Sequence, residues 1–257
     1  LEFRRVLFRS NAPSPGVATR VNARLELLAE RTDAAAIYVI DAQGKTVAAS
    51  NHRLPTSFVG QNYGFRPYFR DALRNGSAEL FALGTVSGVP GLYLAQRIGS
   101  AARPLGVVVV KIEFERVQAQ WAAQQGTTIV TDRHGVVIVT GRSDWRFRAL
   151  APLSAASRQA IRTTRQYGNL PLDPLPLTID GADARAGEAA GDSRVAAVTA
   201  PLAGARLQVL MPLRPALASA NANARLVTLA ALVLIVGALL LLWRARERQL
   251  LQAAARA

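Results

Sequence analysis

The apolar positions of this 257-residue chain follow several rhythms, and each predicts a different kind of element. Between residues 17 and 31, Val17, Val21, Leu25 and Leu28 recur at three- and four-residue intervals, the stripe of an amphipathic helix. Two short runs rich in β-branched and small apolar residues, Ala36–Asp41 and 46–50, flank the turn at 42–44 and predict a hairpin. Residues 67–74 read as a short helix, because proline suits the first helical position, where its missing N–H would be unpaired anyway, and Asn75-Gly76 ends it. Residues 79–83, 92–98 and 107–114 then read as three strands.

The order strand, strand, helix, strand, strand, strand is that of a PAS-like domain, an antiparallel sheet with helix and loops over one face. A second copy follows. Asp132 and Gly135 repeat Asp41 and Gly44 at one interval, since 132 − 41 and 135 − 44 are both 91, and the strand-like runs Thr127–Thr131 and 136–140 flank the repeated turn. Residues 154–166 read as a helix capped by Ser154, and 176–180, 194–200 and Arg206–Pro212 supply three weaker strands, with 181–191 as a small-residue loop. The expected fold is therefore α+β: tandem PAS-like antiparallel sheets on an amino-terminal helix. The expected division is a truncated helix at 17–34, a first unit at 35–122 and a second at 123–214.

Residues 226–243 carry no charge over 18 positions, against about 20 needed to cross a bilayer. Arg244, Arg246 and Arg248 follow at once, so a single transmembrane helix is expected with that end in the cytoplasm and residues 244–257 beginning a cytoplasmic signalling helix. Residues 1–16 are left out of the fold: Leu7-Phe-Arg-Ser10 can be encoded by the end of a common sequencing adapter, and 11–16 is a proline-containing loop.

Composition narrows the chemistry. No cysteine is present, which excludes disulfides and thiolate catalysis, and two histidines, His52 and His134, supply a metal site poorly. The net charge of +14 is spread over scattered arginines with only two lysines, which hints at anionic ligands and not at a nucleic-acid face. Neither histidine has a nucleophile and an orienting acid at recognisable spacing, so no catalytic residue is expected.

The candidate site starts at Asn62-Tyr-Gly-Phe-Arg-Pro-Tyr-Phe69. Pro67 restricts Arg66 to extended backbone at a helix mouth, where the free N–H groups of Tyr68 and Phe69 and the helix dipole would point the same way as the guanidinium. That arrangement suits a carboxylate or phosphate; the plain alternative is a surface arginine beside an aromatic helix. Lys111 alternates onto the same strand face as Val107 and Val109, which suits either an edge-strand guard, a side chain snorkelling to water, or a cation facing Arg66 across a cavity. Two cations across one cavity suit a ligand with two carboxylates. The 84–91 loop adds the hydroxyls of Thr85 and Ser87 without the lysine and spacing of a phosphate-binding loop, and a simple turn is its plain alternative. The second unit has no counterpart of Phe65-Arg-Pro-Tyr-Phe69, so a ligand belongs to the first unit.

Tyr38-Val-Ile-Asp41, Ala48-Ala-Ser-Asn51, Ser57-Phe-Val-Gly60, Phe65-Arg-Pro-Tyr-Phe69, Phe81-Ala-Leu-Gly84, Gly106-Val-Val-Val-Val-Lys111 and Arg165-Gln-Tyr167 occur in this order. From about Val21 onward the chain resembles the extracytoplasmic sensor of bacterial four-carbon dicarboxylate sensor histidine kinases of the dicarboxylate-transport type. The resemblance implies a double Cache domain between two transmembrane helices, with succinate, fumarate or malate bound in the membrane-distal unit. It implies Arg66 and Lys111 as the carboxylate-binding cations, and Tyr63, Thr85, Ser87 and Tyr68 as polar contacts. It also implies a bacterial inner-membrane location with the sensor in the periplasm, a homodimer, and a response regulator reached through a cytoplasmic part. No cofactor is expected in this chain, since ATP belongs to a kinase domain that the chain lacks. The alternatives are the same sensor on a chemoreceptor or a cyclase, a membrane-anchored periplasmic enzyme acting on small acids, and an adhesive ectodomain.

Overall fold

A computed structural model describes residues 15–186, 191–199 and 203–213, together with 225, 227–229, 231 and 232. The amino-terminal helix α1, Pro15–Thr32, buries Val21, Leu25 and Ala29 against Ile37, Val39 and Ala48. Its apolar stripe follows strict four-residue steps, so Ala29 completes it and Leu28, expected on it, is exposed. One polar contact fixes the helix on the sheet edge, and a second ties the residue after β2 back to β1. Asn22 Oδ1 accepts the Ala49 N–H at 2.9 Å, and Ser50 Oγ accepts the Ile37 N–H at 3.0 Å.

The first sheet comprises β1 (Ala36–Asp41), β2 (Thr46–Ala49), β3 (Ser77–Leu83), β4 (Pro90–Gly99) and β5 (Pro104–Ile112), in the antiparallel order β2-β1-β5-β4-β3. One face meets α1. The other carries Tyr38, Val107, Val109, Tyr93 and Ala95 beneath helix α2, Pro67–Asn75, which buries Tyr68, Phe69 and Ala72 on it. Arg66 is the residue before this helix, with extended backbone (φ −74°, ψ 134°), as the proline requires. The helix stops at Gly76, whose N–H reaches the Ala72 carbonyl at 2.9 Å.

A short helix α3, Glu115–Ala122, leads to the second sheet. This sheet contains β6 (Thr127–Thr131), β7 (Val137–Thr140), β8 (Leu177–Asp180), β9 (Asp183–Ala186), β10 (Gly191–Thr199) and β11 (Arg206–Pro212), in the order β7-β6-β11-β10-β9-β8. Helix α4, Ala155–Thr164, begins where Ser154 Oγ accepts the Ser157 N–H at 3.1 Å, the serine cap expected from sequence. The 181–191 window is not one loop: Asp183–Ala186 forms β9 and pairs with both β8 and β10. The repeat reaches into the hydrogen bonds. Asp41 Oδ1 accepts the N–H groups of Gln43 and Lys45, and Asp132 Oδ1 accepts those of His134 and Val136, all at 2.8–2.9 Å. Each turn closes on a glycine at positive φ, Gly44 at 92° and Gly135 at 78°, a conformation that costs a side-chain-bearing residue more.

The described residues contain no helix long and apolar enough to cross a membrane. Of the 226–243 run only 227–229, 231 and 232 are described, and 1–14 and 244–257 lie outside the described residues.

Candidate functional site

Arg66 and Lys111 are each only 1% exposed, so neither is a surface arginine, an edge guard or a snorkelling lysine. Lys111 sits on β5 between two neighbouring strands, opposite Ala36 of β1 and Tyr93 of β4, and strand alternation points it to the face covered by α2. A buried ammonium without partners would cost several kcal/mol. Here Lys111 Nζ donates to Ser87 Oγ at 3.0 Å and is ion-paired with the Glu113 carboxylate. Glu113 lies two residues on, just past the end of β5, and its side chain keeps 25% exposure.

Arg66 is held differently from the arrangement expected at a helix mouth. The Phe69 N–H is not free, because it reaches the Arg66 carbonyl at 3.2 Å. The guanidinium instead donates to the carbonyls of Leu83, at 2.7 Å, and of Arg165, at 3.0 Å, the second of these beyond the end of α4. These two bonds use part of its five-donor fork. Its carbon lies 5.3 Å from the centre of the Phe65 ring, and the Arg165 guanidinium lies at the same distance from that ring.

Tyrosines fill the space around the cations. Tyr68 stacks on Tyr93 with ring centres 5.2 Å apart and planes 4° from parallel, and its hydroxyl shares a 2.8 Å hydrogen bond with that of Tyr38. Burial raises the Tyr93 phenol, while the nearby Arg66 charge works the other way and Tyr63 and Glu113 reinforce the rise. Burial likewise raises Tyr63, opposed by a hydrogen bond from Thr85 and by Arg66. Tyr68 is pushed up by burial and pulled back by the Tyr38 hydrogen bond and by Arg66. These couplings join the residues expected from sequence into one neighbourhood: Lys111 with Ser87, Tyr63 with Thr85, and Arg66 with Tyr63 and Tyr68.

Tyr93 and Glu113 were not foreseen. The register explains the first, since Tyr93 faces Lys111 across β4 and β5, and the ion pair the second, since Glu113 stands one residue past the end of β5. A methyl group at Gly84 would collide with Ser87 Oγ and stand 3.2 Å from Tyr93 Oη, so this glycine lets the 84–89 loop close on the tyrosines. Chemically, the arrangement offers two buried cations of different geometry, a forked guanidinium and a compact ammonium, with the Ser87 hydroxyl on the ammonium and tyrosine hydroxyls near the guanidinium.

No protein-family model matches the chain. Curated relatives do. The C4-dicarboxylate transport sensor protein DctB of Rhizobium meliloti (strain 1021) is 44% identical over 237 residues, 89% of this chain and 38% of that protein. Its namesake in Pseudomonas aeruginosa PAO1 is 40% identical over 161 residues, 62% of this chain and 26% of that protein. The chain thus spans well under half the length of either relative. Among solved structures, the sensor domain of the Vibrio cholerae histidine kinase DctB superposes with a TM-score of 0.69 at 32% identity, covering 77% of this chain and 80% of that one. The periplasmic domain of RsbU from Chlamydia trachomatis shares the fold alone, with a TM-score of 0.59 at 14% identity over 83% of this chain and 81% of its own. The identity and coverage against the Vibrio sensor domain, together with the relatives' shared name, place the resemblance in one family: the chain belongs to the DctB family of C4-dicarboxylate sensor histidine kinases, which it matches over the sensor region.

Proposed function

We propose that this chain senses four-carbon dicarboxylates such as succinate, fumarate and malate in the periplasm, as the input region of an inner-membrane sensor kinase. The observation that supports the reading is the pair of buried cations, Arg66 and Lys111, each 1% exposed, with Tyr93 opposite Lys111 in the sheet and its phenol under the influence of the Arg66 charge. Residues 35–122 form the ligand-binding unit and 123–214 the membrane-proximal one. One ligand carboxylate takes the remaining N–H groups of Arg66, and the other takes Lys111 with the hydroxyls of Ser87, Thr85 and Tyr63. Tyr68 acts through its hydrogen bond to Tyr38 and its stacking on Tyr93, a wall more than a direct contact.

In the wider protein, residues 226–243 cross the inner membrane and 244–257 continue into a signalling helix. The output is read in a homodimer and passes to a response regulator, with ATP bound only in a kinase domain outside this chain. The names of the relatives favour this output over a chemoreceptor or a cyclase.

Calorimetry of the full chain in detergent with succinate, fumarate and malate, against butyrate as a monocarboxylate, tests the reading. Dicarboxylates bind and butyrate does not; Arg66→Ala weakens succinate binding by roughly a hundredfold, ~2.8 kcal/mol. Equal binding of butyrate, or an unchanged affinity in folded Arg66→Ala protein, overturns it.

A further inference from the structure

The second sheet presents a cavity of its own, on the face equivalent to the one that carries Lys111. The register makes the equivalence residue by residue. In the first sheet Ala36, Tyr38 and Ile40 pair with Lys111, Val109 and Val107. In the second, Thr127, Ile129 and Thr131 pair with Leu210, Gln208 and Arg206. The partners are displaced by constant intervals, 91 residues on one strand (127 − 36, 129 − 38, 131 − 40) and 99 on the other (210 − 111, 208 − 109, 206 − 107). Leu210 therefore stands where the first unit has its buried ammonium, and Gln208 stands where it has Val109.

A cleft of about 600 Å³ opens over this face, walled by Leu150, Leu175, Leu177 and Ile179, with Arg206 and Gln208 also lining it. Gln208 is 3% exposed, and its side-chain oxygen has no hydrogen-bond partner among the described residues. A buried amide oxygen left unmatched is costly and is a place where a donor is wanted. Valine at the equivalent position of the first unit shows that the sheet itself does not require an amide there.

We propose that the second unit holds a separate ligand site, in which Gln208 accepts a hydrogen bond from the N–H or O–H of a small uncharged molecule whose apolar body lies against Leu175, Leu177 and Ile179. With Leu210 in place of the ammonium and Arg206 exposed to water, no buried cation lines the cleft among the described residues, so its ligand class differs from that of the first unit. The site stands independently of the dicarboxylate reading.

The test uses the full chain with methyl-labelled leucine and isoleucine, titrated with isobutyramide and, in parallel, with methyl isobutyrate, which keeps the apolar body and lacks a donor. Isobutyramide shifts the methyl signals of Leu175, Leu177 and Ile179 saturably, methyl isobutyrate binds at least tenfold more weakly, and excess succinate leaves the shifts in place. Gln208→Leu removes the preference for the amide, and Leu177→Trp, which fills the cleft, removes the shifts in protein whose melting confirms a fold. Equal binding of the two probes, an unchanged preference in Gln208→Leu, or no saturation overturns the proposal; the last outcome assigns the Gln208 oxygen to solvent.

Discussion

At the scale of single residues, the site is decided by how Lys111 is neutralised. Its ammonium is sealed from water and already balanced by Glu113, so the two cations and one carboxylate leave the neighbourhood with one net positive charge to meet a dianion. In the proposed binding mode an arriving carboxylate shares Lys111 with Glu113, and two carboxylates around one ammonium repel each other. Glu113→Gln keeps the shape and removes the competitor, so succinate affinity is expected to rise on the order of tenfold, ~1.4 kcal/mol. Calorimetry on the variant decides it, and weakened binding would mean that Glu113 is needed to aim the ammonium. Lys111→Met should abolish binding and also destabilise the fold, because it leaves Glu113 beside apolar walls without its counter-ion; the double variant with Glu113→Gln should recover the stability but not the binding. The sequence already contained the means to find Glu113, two positions from Lys111. It did not reveal that Arg66 would be tied to two backbone carbonyls, because one of those carbonyls comes from residue 165, 99 positions away.

Between elements, the corner after α4 connects the two sheets. Arg165 adopts left-handed backbone (φ 50°) and turns the chain so that its carbonyl accepts from Arg66. The next residue, Gln166, accepts the Leu83 N–H at 2.8 Å and donates from its side chain to the carbonyl of Phe81 at 2.9 Å. The same side chain reaches Asp132 Oδ2 at 3.2 Å, and Tyr167 Oη donates to that oxygen at 2.8 Å. A ligand that shifts Arg66 therefore pulls on a chain of bonds running from β3 to the repeated turn of the second sheet. Gln166→Leu removes the donors to Phe81 and Asp132 and should lower stability by about 1–3 kcal/mol in denaturant titration. It should also confine succinate-induced hydrogen-exchange protection to β1–β5, whereas the unsubstituted chain carries it into β6 and β7. Protection that still reaches the second sheet would exclude this corner as the link. Arg165-Gln-Tyr167 was legible as a motif, but its role rests on contacts to residues 66, 81, 83 and 132, which no local pattern announces. Local patterns served best where chemistry is local: Pro67 opening a helix, Gly76 ending it, and the two Asp–x–x–Gly turns. They failed at β9, a strand of small and charged residues in a glycine-flanked window, and at α3, eight residues long with none fully buried.

For the molecule as a whole, its five tyrosines offer a single readout of the fold. All five, Tyr38, Tyr63, Tyr68, Tyr93 and Tyr167, are buried, four of them around the cations and the fifth against Asp132. Burial raises every one of them above the ordinary phenol value, and at Tyr167 the neighbouring Asp132 charge adds to the rise. In the unfolded chain they would ionise near pH 10. A phenol whose folded value is raised binds its proton more tightly folded than unfolded, so its contribution to stability is fully present below about pH 10 and is lost as the pH climbs above it. Tyrosinate absorbance should therefore stay low through pH 10 while the fold persists, then appear in one step together with the loss of near-ultraviolet circular dichroism. Succinate should move that step to higher pH, because ligand bound only to the folded state adds to its stability. If Tyr63, Tyr68 and Tyr93 titrate one by one near pH 10 with the dichroism intact, water reaches the phenols around the two cations, and the burial described for Arg66 and Lys111 does not hold in solution.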